Sequence, residues 1–520
     1  MRWLAPFLIA ACGNDASNVP DAAPDAFACA PPAAGPAAER VPTTSGMIHG
    51  AMAGATWTYL GIPYAAPPVG ALRFAPPAVP ACSGADVEAT AFGPMCPQLD
   101  DAGTFMGDEA CLSLNVWAPA ATTAARPVMV FIHGGANAAG TASDPLYTGR
   151  KLAEAGDVIV VTLDYRLGQL GFLDHTALAA ESTASGNYGL LDQMAALRWV
   201  QTNIAAFGGD PANVLVFGES AGARDTCSLV AAPDAAGLFA RALIESGSCR
   251  ALPTRATAQQ TGDMFAAAAG CTGDVPACLR ALGTEALVRT LPPVASILAS
   301  GAYQPTIDGT IQPAQPETRI AAGMHTHVPF IVGSNADETG AAAPAMFATD
   351  EAYQQALAAQ FGPFADRVYA QYPPPSVTGS PYATRRAAFV RATTDARFVC
   401  PSRSIARDFT AGQSEPVYRY FFTYPASPYG AVHGIELAFL FGNFDAIVTA
   451  NGPYQPNATD LAVSAAIQAD WTSFARGGAP AGTPAWPRYD ATDPARTFAA
   501  TTGTTTGVRT ADCDFWDSLL

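Results

Sequence analysis

Positive charge is scarce in this sequence. Lysine and arginine number 27 against 44 aspartates and glutamates, the net charge is −17, and Lys151 is the single lysine. Non-specific binding of nucleic acid requires a positive electrostatic field, which this balance does not supply. We therefore expect no nucleic-acid partner.

Long apolar runs and clustered metal ligands are also missing. No run reaches the ~18 apolar residues that span a bilayer, so membrane-spanning helices are not expected. The six histidines are scattered along the chain, at His49, His133, His175, His325, His327 and His433. Because no metal-ligand cluster is formed by these histidines and the cysteines, we expect no metal and no other cofactor.

What the sequence does have is length and apolar content. It contains 520 residues, of which 49% are hydrophobic and 14% charged. A chain of this kind can bury a large core and is not mainly disordered. Length alone suggests three or four domains at ~150 residues each, but the motifs described below spread over one continuous region.

The N-terminus indicates export. Met1 and Arg2 are followed by a short apolar stretch and by small residues before Cys12, which resembles a bacterial lipoprotein signal. We assign residues 1–12 to this signal, with Cys12 as the lipidation candidate, and the Ala-, Pro- and Asp-rich residues 13–39 to a flexible tether. The expected location is the periplasm or cell surface, with the membrane reached only through the lipid. A secretory signal without lipid and a mispredicted start remain as alternatives.

From about residue 128 short apolar runs alternate with helical stretches. Strands are predicted at residues 128–132, 158–162, 213–217 and 328–332, and a helix at residues 188–206. Apolar runs without polar alternation are typical of parallel strands that are buried on both faces. This order predicts a doubly wound α/β fold whose active site lies at the carboxyl ends of the strands.

The third predicted strand is followed directly by Gly218-Glu219-Ser220-Ala221-Gly222, a G-x-S-x-G pentapeptide. A serine on a sharp strand-to-helix turn has a strained backbone that exposes its hydroxyl, and glycines two residues to either side avoid a clash with it. The pentapeptide alone is weak support, but its position between a strand and a helix strengthens it. Ser220 is therefore the candidate nucleophile.

A nucleophilic serine needs a base and an acid that orients the base. His433 lies far downstream in a glycine-flanked loop at residues 430–436. The usual order in this fold class is serine, acid, histidine. Asp337 and Glu338 follow the fourth predicted strand, and spacing does not separate them.

The transition state also requires donors for its developing oxyanion. Gly134, Gly135 and Ala136 follow the first predicted strand, and small residues there let backbone N–H groups approach the substrate. The N–H of Ala221, directly after the candidate nucleophile, joins them. His133 competes as a base, but its place in this loop favours a bracing role.

Several further motifs accompany these residues. They are LGIPYA at 60–65, PPVGALRF at 67–74, CLSLNVW at 111–117, DYRLG at 164–168, NYGLLDQ at 187–193, FGGDP at 207–211 and GAVHGIEL at 430–437. Together they resemble the type-B carboxylesterases, the family that includes cholinesterases, bile-salt-stimulated lipase and bacterial para-nitrobenzyl-type esterases. The resemblance extends from about Val41 to the last residue.

The resemblance implies an α/β-hydrolase fold within residues 40–520. In this fold a large, mostly parallel central sheet is flanked by helices, with a small N-terminal antiparallel sheet and long inserted loops around an active-site gorge. The resemblance makes Ser220 the nucleophile, Glu338 the acid and His433 the base. It also assigns the oxyanion hole to Gly135, Ala136 and Ala221, and a supporting polar role to Glu219, Ser246 and Glu436. For the last three, an ordinary buried hydrogen-bonded role is the alternative.

The sequence also departs from the family pattern. The departures are Ala110 in place of a carboxylate, Asn137 after the oxyanion glycines, Arg224 and Asp225 after the elbow, and Ala299 and Gly301 at positions loosely matched to an aromatic acyl-pocket wall. The last two predict a roomy acyl pocket. The loop between Cys96 and Cys111 contains no tryptophan, which argues against choline binding and hence against acetylcholinesterase activity.

Eleven cysteines indicate an oxidising compartment. The resemblance implies the pairs Cys96–Cys111, Cys271–Cys278 and Cys400–Cys513. Apart from Cys12, the remaining cysteines are predicted to pair as Cys29–Cys82 and Cys227–Cys249, with small buried hydrophobic roles as the alternative.

The expected activity is hydrolysis of small-molecule carboxylic esters through an acyl-enzyme intermediate. A lipase and a hydrolase that detoxifies aryl esters are alternatives within the same chemistry. From another class, a non-catalytic adhesion or binding module of the neuroligin type is the alternative. Because all three triad positions and the oxyanion loop are present, the sequence favours catalysis.

Overall fold

The computed structural model describes residues 31–82, 86–120, 125–292, 296–299, 301–374, 384–449 and 452–519. The assigned signal at residues 1–12, with Cys12, and residues 13–30 of the tether lie outside these ranges. Gly35 and Ala38, which belong to the predicted tether, already form hydrogen bonds with the folded domain. The N–H of Gly35 donates to the carbonyl of Ala205 at 3.0 Å, and the N–H of Ala38 donates to the hydroxyl of Tyr59 at 3.0 Å.

The strands of the described residues, in chain order, are β1 (Arg40–Thr43), β2 (Gly46–His49), β3 (Ala51–Ala53), β4 (Thr56–Pro63), β5 (Val87–Glu88), β6 (Gln98–Leu99), β7 (Phe105–Met106), β8 (Ser113–Pro119), β9 (Arg126–Ile132), β10 (Ile159–Leu163), β11 (Gly209–Glu219), β12 (Arg241–Glu245), β13 (Phe330–Asn335), β14 (Val417–Phe422), β15 (Val448–Thr449), β16 (Gly452–Pro453), β17 (Pro494–Phe498) and β18 (Gly503–Thr506).

The α-helices of the same residues are α1 (Arg150–Gly156), α2 (Gly168–Phe172), α3 (Thr176–Glu181), α4 (Tyr188–Asn203), α5 (Ala221–Ala231), α6 (Arg255–Ala268), α7 (Val275–Ala281), α8 (Thr284–Arg289), α9 (Pro316–Ala321), α10 (Asp350–Phe361), α11 (Ala365–Gln371), α12 (Thr384–Thr394), α13 (Cys400–Gly412), α14 (Glu436–Phe441), α15 (Ala458–Gly477) and α16 (Thr510–Asp517). Among the described helices, none combines the length and apolar character needed to cross a membrane.

One large sheet organises the molecule. Its strand order is β18-β17-β14-β13-β12-β11-β9-β10-β8-β4-β3. The strands from β10 through β9, β11, β12, β13 and β14 to β17 pair in parallel, and the outer strands on both sides are antiparallel. This confirms the expected α/β-hydrolase fold with its mostly parallel central sheet. In the small N-terminal sheet, β1 and β2 are antiparallel and β5 joins β2 in parallel.

The central strands lack polar alternation because helices cover both faces of the sheet. Along β9, Val128, Val130 and Ile132 pack into one buried cluster. The alternate residues Met129 and Phe131 pack into a second cluster on the other face. Successive side chains of a strand point to opposite faces, so a strand between two helical layers must be apolar at every position.

The structure contains four disulfide bonds among the described residues. They join Cys96 to Cys111, Cys227 to Cys249, Cys271 to Cys278 and Cys400 to Cys513. Each of these pairs was expected from the sequence. Cys29, the predicted partner of Cys82, lies outside the described residues, so that pairing stays a prediction.

Candidate active site

Ser220 stands at the turn between β11 and α5. Its backbone has φ 59° and ψ −117°, a conformation that residues other than glycine rarely adopt. A Cβ on Gly218 would lie 2.4 Å from the carbonyl oxygen of Gly222, and a Cβ on Gly222 would lie 2.0 Å from that of Ile132. Both glycines of the pentapeptide are therefore required by close backbone contacts around the serine.

His433 and Glu338 come from loops that follow the neighbouring strands β14 and β13. Oε2 of Glu338 is 2.7 Å from Nδ1 of His433, and the backbone N–H of His433 donates to the carbonyl of Glu338 at 3.1 Å. Glu338 is completely buried, and its Oε1 accepts a hydrogen bond from the backbone N–H of Asn335 at 2.7 Å. The carboxylate therefore orients the imidazole ring and favours a proton on Nδ1.

Asp337, the other acid that spacing allowed, contacts backbone instead. Its carboxylate accepts a hydrogen bond from the N–H of Ala431 at 3.1 Å, and its own N–H donates to the carbonyl of Ala431 at 3.0 Å. These bonds tie the loop after β13 to the loop that carries His433. The structure thus places Glu338 against the histidine and Asp337 on the loop backbone.

The second ring nitrogen of His433 lies near Glu219. Nε2 of His433 is 3.2 Å from Oε1 of Glu219, and the Phe398 ring lies 5.0 Å from the imidazole between centroids. Burial by itself lowers the pKa of His433, but the negative charges of Glu219 and Glu338 outweigh it and raise that pKa. Burial also raises the pKa of the Glu219 carboxyl. The surroundings therefore stabilise the protonated imidazole.

A chain of polar groups continues behind the histidine. The Ser246 hydroxyl donates to Glu436 at 3.4 Å, and the Asn335 side-chain amide donates to the same carboxylate and to the carbonyl of Val432. Ser246, Asn335 and Glu436 are all buried. Sequence reasoning missed Asn335, although an amide at the end of a predicted strand, just before the candidate acids, is a signal that could have found it.

The loop after β9 adopts the conformation that its glycines allow. Gly135 has φ 101° and Ala136 has φ 58°, and a Cβ on Gly135 would lie 2.1 Å from the carbonyl oxygen of Ala139. Gly135 and Ala136 border the same cavity as Ser220 and Ala221. The structure therefore brings the three expected oxyanion residues together around the candidate nucleophile.

His133 supports this loop through contacts inside the protein. Its Nδ1 is 2.8 Å from the carbonyl oxygen of Gly134, and its ring stacks on Tyr165 at 4.6 Å. The ring is buried, and burial lowers the pKa of His133 to about 4. A neutral histidine packed inside the protein fits the bracing role and not that of a base.

A cavity of about 630 Å³ unites these groups. Besides the residues already named, its wall includes small residues (Gly247, Ser248, Ala251, Ser296, Ala299, Gly301, Ala396), apolar and aromatic residues (Ile297, Phe361, Phe364, Phe398, Pro401, Trp516, Leu519) and arginines (Arg224, Arg250, Arg397). In the part of the chain that the structure describes, no group of three or more His, Cys, Asp or Glu is arranged to hold a metal ion.

Comparison with known proteins agrees with this geometry. Residues 37–516 match the model of the carboxylesterase family. The para-nitrobenzyl esterase of Bacillus subtilis (strain 168) is 36% identical over 471 residues, which cover 86% of this chain and 92% of that protein. The fumonisin B1 esterase of Sphingopyxis macrogoltabida is 36% identical over 485 residues, which cover 90% of this chain and 87% of that protein.

Solved structures show the same likeness. The structure of a thermophilic PNB esterase superimposes with a TM-score of 0.80 at 34% sequence identity, and the match covers 92% of this chain and 99% of that chain. The family match over most of the chain and the esterase relatives confirm the resemblance drawn from the motifs. The chain belongs to the carboxylesterase family and is a carboxylic-ester hydrolase.

Proposed function

We propose that this hydrolase forms an acyl-enzyme on Ser220, with His433 as general base and Glu338 as the acid that orients it. The observation that carries the proposal is the 2.7 Å contact between the buried Glu338 and Nδ1 of His433, because His433 borders the same cavity as the strained serine. With its Nδ1–H donated to the carboxylate, the imidazole keeps the Nε2 lone pair for the hydroxyl proton of Ser220.

In the acylation step Oγ of Ser220 attacks the ester carbonyl while Nε2 of His433 takes its proton. The backbone N–H groups of Gly135, Ala136 and Ala221 donate to the oxyanion, and each is worth roughly 3 kcal/mol in the transition state. The imidazolium then protonates the leaving alcohol. Water repeats the sequence on the acyl-enzyme and releases the acid, so no metal or cofactor takes part.

Glu219, Ser246 and Glu436 act as positioning residues. The charge of Glu219 lies 3.2 Å from Nε2 of His433 and favours the imidazolium that forms during both steps. Ser246 donates a hydrogen bond to Glu436, and Glu436 accepts one from the side-chain amide of Asn335, whose backbone N–H binds the catalytic carboxylate of Glu338. These contacts support the geometry without touching the substrate.

The acyl side of the cavity is the wall that contains Ala299 and Gly301. A Cβ on Gly301 would lie 3.6 Å from the carbonyl oxygen of Ala136, so this segment approaches the oxyanion loop. Small side chains at this place leave room for acyl groups larger than acetyl. We accordingly propose small-molecule esters with bulky or extended acyl groups as substrates.

Para-nitrophenyl esters from acetyl to long acyl chains test this proposal. Replacing Ser220 by alanine should lower kcat by at least about 10³-fold, because no other group can form the acyl-enzyme. Ser248→Ala is the matched control, since Ser248 borders the same cavity while its hydroxyl accepts a hydrogen bond from the N–H of Arg250 at 3.1 Å. By intact-mass measurement, a fluorophosphonate adduct should form on the native protein and on Ser248→Ala, but not on Ser220→Ala.

Each alternative has its own outcome in these assays. Unchanged activity of Ser220→Ala would refute the assignment of the nucleophile. Absence of hydrolysis of every ester by the native protein would favour the adhesion or binding module. A sharp preference for acetyl esters would contradict the roomy acyl pocket.

Export and domain organisation complete the proposal. We propose that residues 40–520 form the catalytic domain behind a lipidated Cys12 and a tether, in the periplasm or at the cell surface. Four disulfides support an oxidising compartment. Mass spectrometry of the mature N-terminal peptide tests whether Cys12 carries a lipid. Thiol titration of the denatured, unreduced protein tests the pairing, and several free thiols would contradict it.

A further inference from the structure

Three arginines border the active-site cavity of this acidic protein. Arg250 is neutralised within the protein, because its Nε lies 2.9 Å from the carboxylate of Glu317. Arg224 and Arg397 differ from it. Among the described residues, the guanidinium of Arg224 binds only the side-chain carbonyl of Gln304, and that of Arg397 binds only carbonyl oxygens, of Leu298 at 2.9 Å and of Gln360 at 3.0 Å.

Both guanidinium groups keep an unused donor. The Nε–H of Arg224 and that of Arg397 are buried, and neither has an acceptor in the described part of the chain. Burial lowers the pKa of both side chains. The negative charge of Asp225 offsets part of this effect at Arg224, whereas the positive charge of Arg224 lowers the pKa of Arg397 further. Two like charges near each other, partly buried and without an ion pair to any described carboxylate, are unfavourable unless an anion joins them.

The acidic groups of the cavity wall do not supply that anion. Glu219 lies against His433 at 3.2 Å, and Asp517 pairs with Arg407 at 2.6 Å. Asp225, the sequence neighbour of Arg224, accepts its hydrogen bonds from amide side chains. The positive charge at Arg224 and Arg397 therefore remains available to a molecule in the cavity.

The two arginines lie where the acyl group of a bound ester would extend. Arg224 is one helical turn after the nucleophile, and its backbone N–H donates to the carbonyl of Ser220 at 3.1 Å. Arg397 holds Leu298, next to the small residues Ala299 and Gly301 of the proposed acyl wall. The arginines thus bind Leu298 and Gln304, which precede and follow these small residues in the chain.

We infer that the preferred substrates are esters whose acyl group carries a free carboxylate, that is, partial esters of di- or polycarboxylic acids, with Arg224 and Arg397 binding that carboxylate. This inference rests on the proposed function of Ser220 and His433. A guanidinium binds a carboxylate through two parallel, charge-assisted hydrogen bonds, and its charge does not depend on pH near neutrality. Water cleaves the ester bond to the alcohol and a dicarboxylate, and the carboxylate held by the arginines does not react.

Three esters in one assay test the inference. Monoethyl glutarate and ethyl pentanoate have acyl groups of equal length, with and without the carboxylate, and 3-(pentanoyloxy)propanoate carries its carboxylate on the alcohol side. We expect kcat/KM to be at least about tenfold higher for monoethyl glutarate than for the other two. A native protein that favours ethyl pentanoate overturns the inference. A preference for 3-(pentanoyloxy)propanoate overturns its assignment to the acyl side.

Substitution of the arginines gives the second test. Arg224→Gln and Arg397→Gln should each reduce the ratio of kcat/KM for monoethyl glutarate over ethyl pentanoate by about tenfold or more. The matched control Arg250→Gln should keep the native ratio, because Glu317 already pairs with that charge. The ratio is taken within one preparation, so incomplete folding does not affect it. A ratio insensitive to both substitutions refutes the inference.

The same data separate this inference from the proposed function. If the native protein hydrolyses ethyl pentanoate and Ser220→Ala does not, the proposed function is supported. This result does not depend on whether the protein prefers esters with a free carboxylate. If the native protein hydrolyses ethyl pentanoate but glutarate inhibits it no better than pentanoate does, only the carboxylate site is refuted. If Ser220→Ala hydrolyses all three esters like the native protein, the proposed function itself is wrong.

Discussion

The side-chain amide of Asn137 donates a hydrogen bond of 3.1 Å to the carboxylate of Asp225. Asn137 belongs to the oxyanion loop and Asp225 to α5, so the contact joins the backbone donors to the helix that follows the nucleophile. Gln193 donates to the second oxygen of Asp225 at 2.6 Å, and the Tyr165 hydroxyl donates to Asn137 at 3.0 Å. All four side chains are buried. Two separate departures from the family pattern are therefore direct partners.

Asn137→Ala should slow catalysis more than it weakens substrate binding. Loss of the bond to Asp225 frees the oxyanion loop, and oxyanion donors act mainly in the transition state. We expect kcat to fall about 10- to 100-fold with little change in KM, and the free energy of unfolding to fall by about 1–3 kcal/mol because Asp225 loses a buried donor. Steady-state kinetics and thermal unfolding measure both effects.

Asn443→Ala is the control for this prediction. The side-chain amide of the buried Asn443 also binds protein acceptors, the partly buried carbonyls of Leu146 and Thr148, and neither acceptor belongs to the proposed oxyanion loop. The Asn443→Ala variant should therefore have a lower free energy of unfolding without a comparable loss of kcat. Equal losses of kcat in the two variants would contradict a specific role for Asn137.

Glu338→Gln and Asp337→Asn distinguish the two acids that spacing left open. An amide at position 338 cannot stabilise the imidazolium, so we expect kcat to fall about 10³- to 10⁴-fold. The carboxylate of Asp337 accepts its hydrogen bond from the backbone N–H of Ala431, and the Asp337→Asn variant should lose less than about tenfold in kcat. The measurement is kcat of both variants with one para-nitrophenyl ester, and circular dichroism spectra check that both variants are folded. A larger loss of kcat in Asp337→Asn than in Glu338→Gln would make Asp337 the acid.

Glu219→Gln should move the pH profile toward acid. A negative charge beside the imidazole favours its protonated form, so removal of that charge lowers the pKa of His433. Because only neutral His433 acts as base, the rising limb of kcat/KM should shift to lower pH by about one unit. Asp517→Asn, which removes a cavity carboxylate that pairs with Arg407, should leave the limb in place. A shift toward alkaline pH would show that the charge of Glu219 does not control His433.

The Cys400–Cys513 bond should stabilise the protein more than the Cys271–Cys278 bond. The first spans 113 residues and the second 7, and loop-closure entropy then assigns them about 5 and about 2.5 kcal/mol. Thermal unfolding of the two double-serine variants measures the difference.

The first of these variants should also raise KM. Trp516, on the helix that Cys513 anchors, borders the cavity. The ion pairs of that helix, Arg391–Asp512, Arg403–Asp514 and Arg407–Asp517, are partly exposed and replace little of the lost stability. Equal melting temperatures of the two variants, or an unchanged KM, would contradict these expectations.

Much of the fold could be predicted because local sequence and burial agree. The strand predicted at 213–217 is the inner part of β11, and apolar residues fill it because both faces of the sheet are covered. The helix predicted at 188–206 ends as α4 at Asn203, where a short 3-10 turn closes on Gly208 with φ 82°. Boundaries of this kind depend on the last hydrogen bonds of a helix, which periodicity does not specify.

The sequence by itself determined which residues can carry the chemistry. Close contacts within the turn and with the adjacent strand require the glycines around Ser220, and similar contacts with Glu219 and Ser220 require Gly134. The positive φ of Gly135 favours glycine there. Such constraints involve neighbours in sequence or in a regular sheet, so a short motif records them. The motifs therefore predict which serine is the candidate nucleophile and which loop is the candidate oxyanion loop.

Only the tertiary structure decided how distant side chains meet. Glu338 rather than Asp337 turns toward His433, Asn137 meets Asp225, and Arg224 and Arg397 border one cavity without an ion pair to any described residue. Each of these relations joins segments that are far apart in the chain, and two of them involve residues of helix α5. Their side-chain directions depend on the packing of the whole sheet edge, and spacing along the sequence does not contain that information.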